Sequence, residues 1–258
     1  MKLLSIRNLA VHLREITVLQ DVNLNFRAGE LTMIIGPNGA GKSTLLDCCA
    51  GIRKPTSGQI SVGKKDLQSI SPRLRAKALA YLPQHPEVAW DIDGETLVSL
   101  GRTPHRGAWG DSEADVFAVK NAMELTATSK FARRTVSSLS GGERARLHIA
   151  RALAGSPSWF LADEPLADLD PGHALDTIAL CRKLAHSDGL GVVLTVHDLS
   201  VALRHADRVI VLAQGTVLAD GRPKEALCST VLQKAYGIRT RVLQGDYGSV
   251  LEIIGRDA

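Results

Sequence analysis

The stretch Leu31–Thr44, LTMIIGPNGAGKST, decides the fold. LTMII is an apolar run that stops at a glycine, the pattern of a strand buried on both faces. GPNGAGKST, from Gly36 to Thr44, then matches G-x-x-x-x-G-K-[ST], and a helical pattern follows through TLLDCCAGI. Strand, glycine loop and helix in that order build a cradle for phosphate. The cradle runs through Gly36, Pro37, Asn38, Gly39, Ala40 and Gly41. Its glycines let the backbone curl tightly, so that successive N–H groups converge on one anion. The helix beginning near Lys42 turns its positive N-terminal end to the same charge. Lys42 brings a full positive charge to the β- and γ-phosphates, the Ser43 hydroxyl is placed to ligate Mg²⁺, and Thr44 completes the motif. This loop alone does not separate a transport ATPase from a kinase or a GTPase.

The rest of the chain narrows the choice. Its 258 residues are 45% hydrophobic and 22% charged, which fits one large soluble domain or two small ones and excludes disorder as the main state. A net charge of +4, from 31 basic and 27 acidic residues, is too mild to argue for nucleic acid, the basic residues are scattered, and no nucleic-acid partner is expected. No run approaches the roughly eighteen apolar residues of a membrane span. MKLLSIRNLAVHLRE reads as the start of a strand, not as a signal peptide. Cys48, Cys49, Cys181 and Cys228 form no C-x-x-C pair and read as small buried hydrophobes in a reduced, cytoplasmic setting.

Organisation follows the same punctuation. The first thirty residues read as two or three strands, and QISVGKKDL as a hairpin region. Glycine, proline, tryptophan and histidine crowd Trp90 to Asp111, and helical periodicity follows from Glu113 to about Leu125 and from Gly142 to Ala154. The core resumes with WFLAD, then a helix near Ala174–Ala185, the strand GVVLTVHD, a helix near Leu199–Ala206 and the strand RVIVLAQG. The tail from Gln214 to Ile254 is expected to hold short strands and one helix. The expected architecture is a single α/β domain. A P-loop NTPase core with an N-terminal antiparallel β region spans 1–88 and 157–258, its sheet largely parallel and flanked by helices, and a helical subdomain over 89–156 is inserted into it.

Two further segments carry chemistry. SWFLADEP places Asp163 and Glu164 at the end of an apolar strand, where a parallel sheet forms its ligand crevice. A lone D-E-P is ordinarily an acidic turn. Behind a phosphate loop, Asp163 is assigned to the metal and Glu164 to the general base. Ser140-Gly141-Gly142, followed by Glu143 and an Ala/Leu/Arg-rich run, looks like a capped helix start. A second anion-ready helix end suggests a second contact to the same nucleotide, which two head-to-tail copies could close.

Here the residues carry a resemblance. LSGGE at 139–143 resembles the signature motif of ABC-type ATPases, YLPQ at 81–84 their Q-loop, LADLD at 166–170 their D-loop and TVHD at 195–198 their switch-histidine loop. With the phosphate loop, five motifs stand in the family order between residues 36 and 198. The resemblance implies a homodimer that sandwiches two ATP molecules, with Mg²⁺. Lys42, Ser43, Asp163 and Glu164 of one copy would face Ser140, Gly141 and Gly142 of the other. Gln84 would sense the metal and the attacking water, His197 would position Glu164, and Asp170 would act across the dimer interface. Where the family stacks an aromatic ring on adenine, this chain has His12 and Leu13, and the signature carries Glu143 where glutamine is commoner.

One phosphate loop and no membrane span suit a separate ATPase subunit of an importer. About fifty residues follow Asp207, too few for the regulatory domain of sugar-importer ATPases. VSLGRTPHRGAW at 98–109, VHDLSVALRHADRVIVLAQG at 196–215 and LQKAYGIRTRVL at 232–243 resemble the ATPases of metal-chelate importers for ferric siderophore, haem or cobalamin. The expected partners are an integral-membrane permease dimer and, indirectly, a periplasmic or surface substrate-binding protein. The expected location is the cytoplasmic face of the inner membrane, as a peripheral subunit. Residues near Gln84–Asp91 and the GRTPHRG segment are expected to meet the permease. Rival readings are a soluble ABC-type ATPase switch and a small-molecule kinase.

Overall fold

The computed structural model describes residues 3–256 apart from 87, 89, 108, 109, 168 and 247. Glu87 and Ala89 of the segment after Gln84, Ala108 and Trp109 of GRTPHRGAW, and Asp168 of LADLD therefore lie outside the described residues.

The chain opens with two long antiparallel strands, β1 (Leu3–Leu13) and β2 (Ile16–Arg27). Next come β3 (Leu31–Ile35), buried throughout, and α1 (Lys42–Ala50). β4 (Ser57–Val62) and β5 (Lys65–Asp66) are the hairpin expected of QISVGKKDL, and they complete a sheet of order β2-β1-β4-β5. α2 (Pro72–Ala78), too short to stand out by its periodicity, leads into β6 (Leu79–Leu82). α3 (Gly94–Ser99), α4 (Glu113–Leu125) and α5 (Gly141–Ala154) follow.

The chain then alternates: β7 (Trp159–Ala162), α6 (Pro171–His186), β8 (Gly191–Thr195), α7 (Leu199–His205), β9 (Arg208–Ala213) and β10 (Thr216–Gly221). The second sheet has the order β10-β9-β3-β8-β7-β6; only β10 runs antiparallel to its neighbour. α6 begins before Ala174 because Asp170 caps it and Pro171 fits the first turn. The tail differs from expectation. It holds two short helices, α8 (Pro223–Ala226) and α9 (Ser229–Tyr236), and then a long hairpin, β11 (Ile238–Gly245) and β12 (Gly248–Arg256).

Alternation along the parallel strands builds two cores. Leu31, Met33 and Ile35 of β3 pack with Phe160 and Ala162 of β7 against the side that carries α4, α5 and α6. Ile34, Trp159, Leu161 and Val193 face the opposite way, onto α1 and the antiparallel sheet. Cys48, Cys49 and Cys181 are buried, as expected of small hydrophobes; Cys228 is only half-buried.

Within the GRTPHRG segment, Arg102 and His105 are tied to α5, while Thr103 and Gly107 stay exposed. Arg102 is buried and donates from Nε to Asp115 at 2.7 Å and from a terminal nitrogen to the Ala154 carbonyl at 2.9 Å. His105 Nε2 lies 2.9 Å from the Gly155 carbonyl. The buried apolar length of α5 has to be joined to the core, and this guanidinium ties its last turn to α4.

Candidate active site

β3, β8 and β7 are parallel neighbours, so their C-terminal ends bring the loop at 36–44, His197 and the Asp163–Glu164 pair to one crevice. Residues 38–44 line a cavity of about 450 Å³ together with Val18, Gln84, Glu164 and His197. α1 starts there without a side-chain cap; its N-cap, Gly41, has φ 99°. By contrast α4, α5 and α6 are capped by Ser112, Ser140 and Asp170. The first amides of α1 are thus offered to a ligand at the positive end of the helix. Gly36 is held so near β9 that a side-chain carbon would stand 2.2 Å from the Leu212 carbonyl oxygen.

Lys42 is buried, and its Nζ donates to the carbonyls of Gly36 at 2.8 Å and Pro37 at 3.3 Å. Burial pushes its ammonium below the usual lysine range, while Glu164 and Asp163 pull it back up. The pull of two carboxylates and the cavity beside it fit a lysine that meets phosphate.

Asp163 and Glu164 are adjacent yet differently held. The Thr195 hydroxyl donates to Asp163 Oδ1 at 2.6 Å and accepts the Glu164 N–H at 2.7 Å. Glu164 has φ 51°, in the left-handed region that side chains other than glycine seldom adopt. That turn aims its carboxylate away from Asp163. Gln84 Nε2 donates to Glu164 Oε2 at 2.7 Å, and His197 Nε2 lies 2.5 Å from Oε1. Nothing in the TVHD motif itself assigns a role to Thr195. Only strand order places its hydroxyl against the acidic pair.

Ser140 caps α5 reciprocally with Glu143: Glu143 N–H donates to Ser140 Oγ at 3.3 Å, and Ser140 N–H to Glu143 Oε2 at 2.9 Å. This helix start does not join the phosphate-loop cavity. Gly141 lines an adjoining cavity that shares Gln84 and Glu164 with it, and Gly142 stands beside Leu169 and His173. Lys42 thus lines the phosphate-loop cavity, whereas Ser140 lines neither of these two cavities. Asp170 accepts the His173 N–H at 3.0 Å and pairs with the ring of the same histidine. His12 Nδ1 lies 3.0 Å from Thr17 Oγ1, and neither His12 nor Leu13 lines the cavity, whereas Val18 does.

No group of three or more His, Cys, Asp or Glu side chains suited to a metal ion occurs among the described residues. Ser43, Gln84 and Asp163 are oxygen donors carrying one carboxylate between them. Such a set fits Mg²⁺ that arrives on phosphates better than an ion caged by protein alone.

An anion cradle of this build, with a held carboxylate at its mouth, defines a P-loop nucleotide-binding protein. The family profile for ABC transporters matches residues 19–167. The chain is 38% identical over 239 residues to the cobalamin import ATP-binding protein BtuD of Halobacterium salinarum, covering 93% of this chain but 60% of that protein. It is 38% identical over 234 residues to the hemin import ATP-binding protein HmuV of Bordetella avium, covering 88% of each. Among solved structures, a chain of an inward-facing ABC transporter assigned to the metal-chelate type superposes with a TM-score of 0.85 at 25% identity, covering 99% of this chain and 98% of that one. A bacterial ABC transporter cassette solved as a dimer gives 0.78 at 29% identity, covering 85% and 98%. The chain belongs to the ABC transporter family, as an ABC-type ATPase cassette.

Proposed function

We propose that the chain hydrolyses ATP to power import of a metal chelate, such as haem, a ferric siderophore or cobalamin, through a separate permease. The observation that carries the hydrolytic half is the Glu164 carboxylate, held by Gln84 and His197 at the mouth of the phosphate-loop cavity. The relatives' names, cobalamin and hemin import, support the substrate class.

In this reading the amides of Gly39 to Thr44 and the Lys42 ammonium bind the phosphates of ATP and neutralise the charge that builds on the γ-phosphoryl group. Glu164 accepts the proton of the attacking water as the oxygen bonds to phosphorus and the ADP oxygen departs. His197 and Gln84 keep the carboxylate in line. Ser43 and Asp163, with Gln84, would hold Mg²⁺, which supplies positive charge to the phosphate oxygens.

Ser140, Gly141 and Gly142 serve a second copy's nucleotide, with Asp170 at the shared interface. That Ser140 to Gly142 do not line the phosphate-loop cavity of their own chain supports this. Residues 89–156 act as the helical subdomain that meets the permease. Trp90 is 76% exposed, and Val116 and Phe117 of α4 are exposed too, which suits docking on an apolar partner surface. No helix among the described residues is long and apolar enough to cross a membrane, so the proposed place of the chain is peripheral, on the permease.

The test is uptake in cells lacking the gene, with iron-labelled siderophore, iron-labelled haem and cobalt-labelled cobalamin offered in parallel. Loss of one label, restored by the native gene and not by Glu164→Gln, is expected. Unchanged uptake of all three would overturn the metal-chelate assignment and strengthen the reading as a soluble ATPase switch.

A further inference from the structure

His148, in the middle of α5, is 1% exposed, and neither ring nitrogen has a hydrogen-bond partner among the described residues. A buried polar group without a partner is costly, and the interior of a helix bundle rarely keeps one without use. His148 is among the residues around a cavity of about 450 Å³ lined on one side by Gly141, Arg144 and Ala145 of the same helix, and on the other by residues 82–86 and 163–165. Gln84 and Glu164 line both this cavity and the phosphate-loop cavity. Any shift of Gln84 at the nucleotide therefore changes the gap in front of His148. Burial first, then Arg151 and Arg144, lowers its pKa to about 4, so near neutral pH the ring offers one donor and one acceptor.

We propose that His148 is a positioning residue: when residues 82–86 move toward α5, its ring exchanges hydrogen bonds with that loop, one nitrogen donating and the other accepting, and so fixes where Gln84 holds the Glu164 carboxylate. The proposal rests on the hydrolytic reading above. It assigns the partnerless imidazole to a second arrangement of the Q-loop, one in which the histidine is paired. The cavity supplies the room for that movement, and the shared Gln84 supplies the link to the reaction.

The experiment compares the full-length protein with His148→Leu and His148→Gln in steady-state MgATP hydrolysis and thermal unfolding. Leucine fills similar volume without polar atoms, so its midpoint should equal or exceed the native one, while kcat falls about tenfold for the lost hydrogen bond. KM for MgATP should stay within about twofold, because the loss lies in the reacting arrangement and not in ground-state binding. Glutamine, with a donor and an acceptor, should recover most of the rate. Native kcat in His148→Leu, an equal loss in both variants, or a loss carried by KM would each overturn the proposal. Glu164→Gln, assayed beside them, keeps the two readings apart. Turnover in that variant removes the general base, whereas its inactivity beside a fully active His148→Leu removes only the role of His148.

Discussion

His197 Nε2 stands 2.5 Å from Glu164 Oε1, although the two residues lie on turns after different strands, β8 and β7. The contact closes one side of the carboxylate, and Gln84 closes the other. A carboxylate held at both oxygens keeps one orientation toward the cavity mouth, which is what proton transfer from a positioned water requires.

Glu164→Gln keeps the size of the side chain and removes its basicity. Its kcat should fall about 1,000-fold, the range of general-base loss, with ATP binding retained. Phosphate release and binding of a fluorescent ATP analogue measure the two separately. His197→Ala should cost less, about 100-fold, because Gln84 still orients the base. Equal losses in both variants would mean that His197 does more than position.

Lys42 lines the phosphate-loop cavity, and Ser140 does not. With MgATP, the Glu164→Gln protein should therefore run as a dimer in light scattering, and Ser140→Arg added to it should hold it monomeric. An arginine at the start of α5 would fill the space that the proposed sandwich gives to phosphate. A dimer that survives the second change would sink the sandwich.

His148 titrates near 4 when folded and near 6.5 when unfolded, with burial the main cause. Between those values the unfolded chain binds the proton and the folded chain does not, so acid favours unfolding. The contribution is flat above about pH 6.5 and is lost as pH falls toward 4, to a limit of about 3 kcal/mol. His148→Leu has no such group to titrate. Thermal midpoints of the two proteins should diverge as pH drops from about 7.5 to 5, the native one falling faster. Parallel curves would show that the histidine does not titrate in this window.

Gly101 sits under the last turns of α5, where a side-chain carbon would be 2.0 Å from the Arg151 carbonyl oxygen. Gly101→Ala must push the turn at 100–102 and α5 apart, and with them the buried Arg102–Asp115 pair. Urea unfolding should show a loss of about 1–3 kcal/mol. A neutral substitution would mean that this junction yields without strain.

Much of the site is legible in the sequence alone because its pieces are contiguous. A phosphate loop needs a strand, its glycines, Lys42 and a helix start in one unbroken run, and local backbone chemistry dictates each of them. The same holds for the Ser140 cap, where Glu143 one turn on reciprocates. The tail is less legible: α8 and α9 are too short for helical periodicity to be distinctive. Thr195 and His148 are hidden for a different reason. A threonine at a strand end and a histidine in a helix carry no local signal. Thr195 gains its role because β8 pairs beside β7, and His148 because α5 lies across from the loop at 82–86. Those neighbours are set by burial of two apolar faces of one sheet, a long-range outcome of packing that no window of sequence contains.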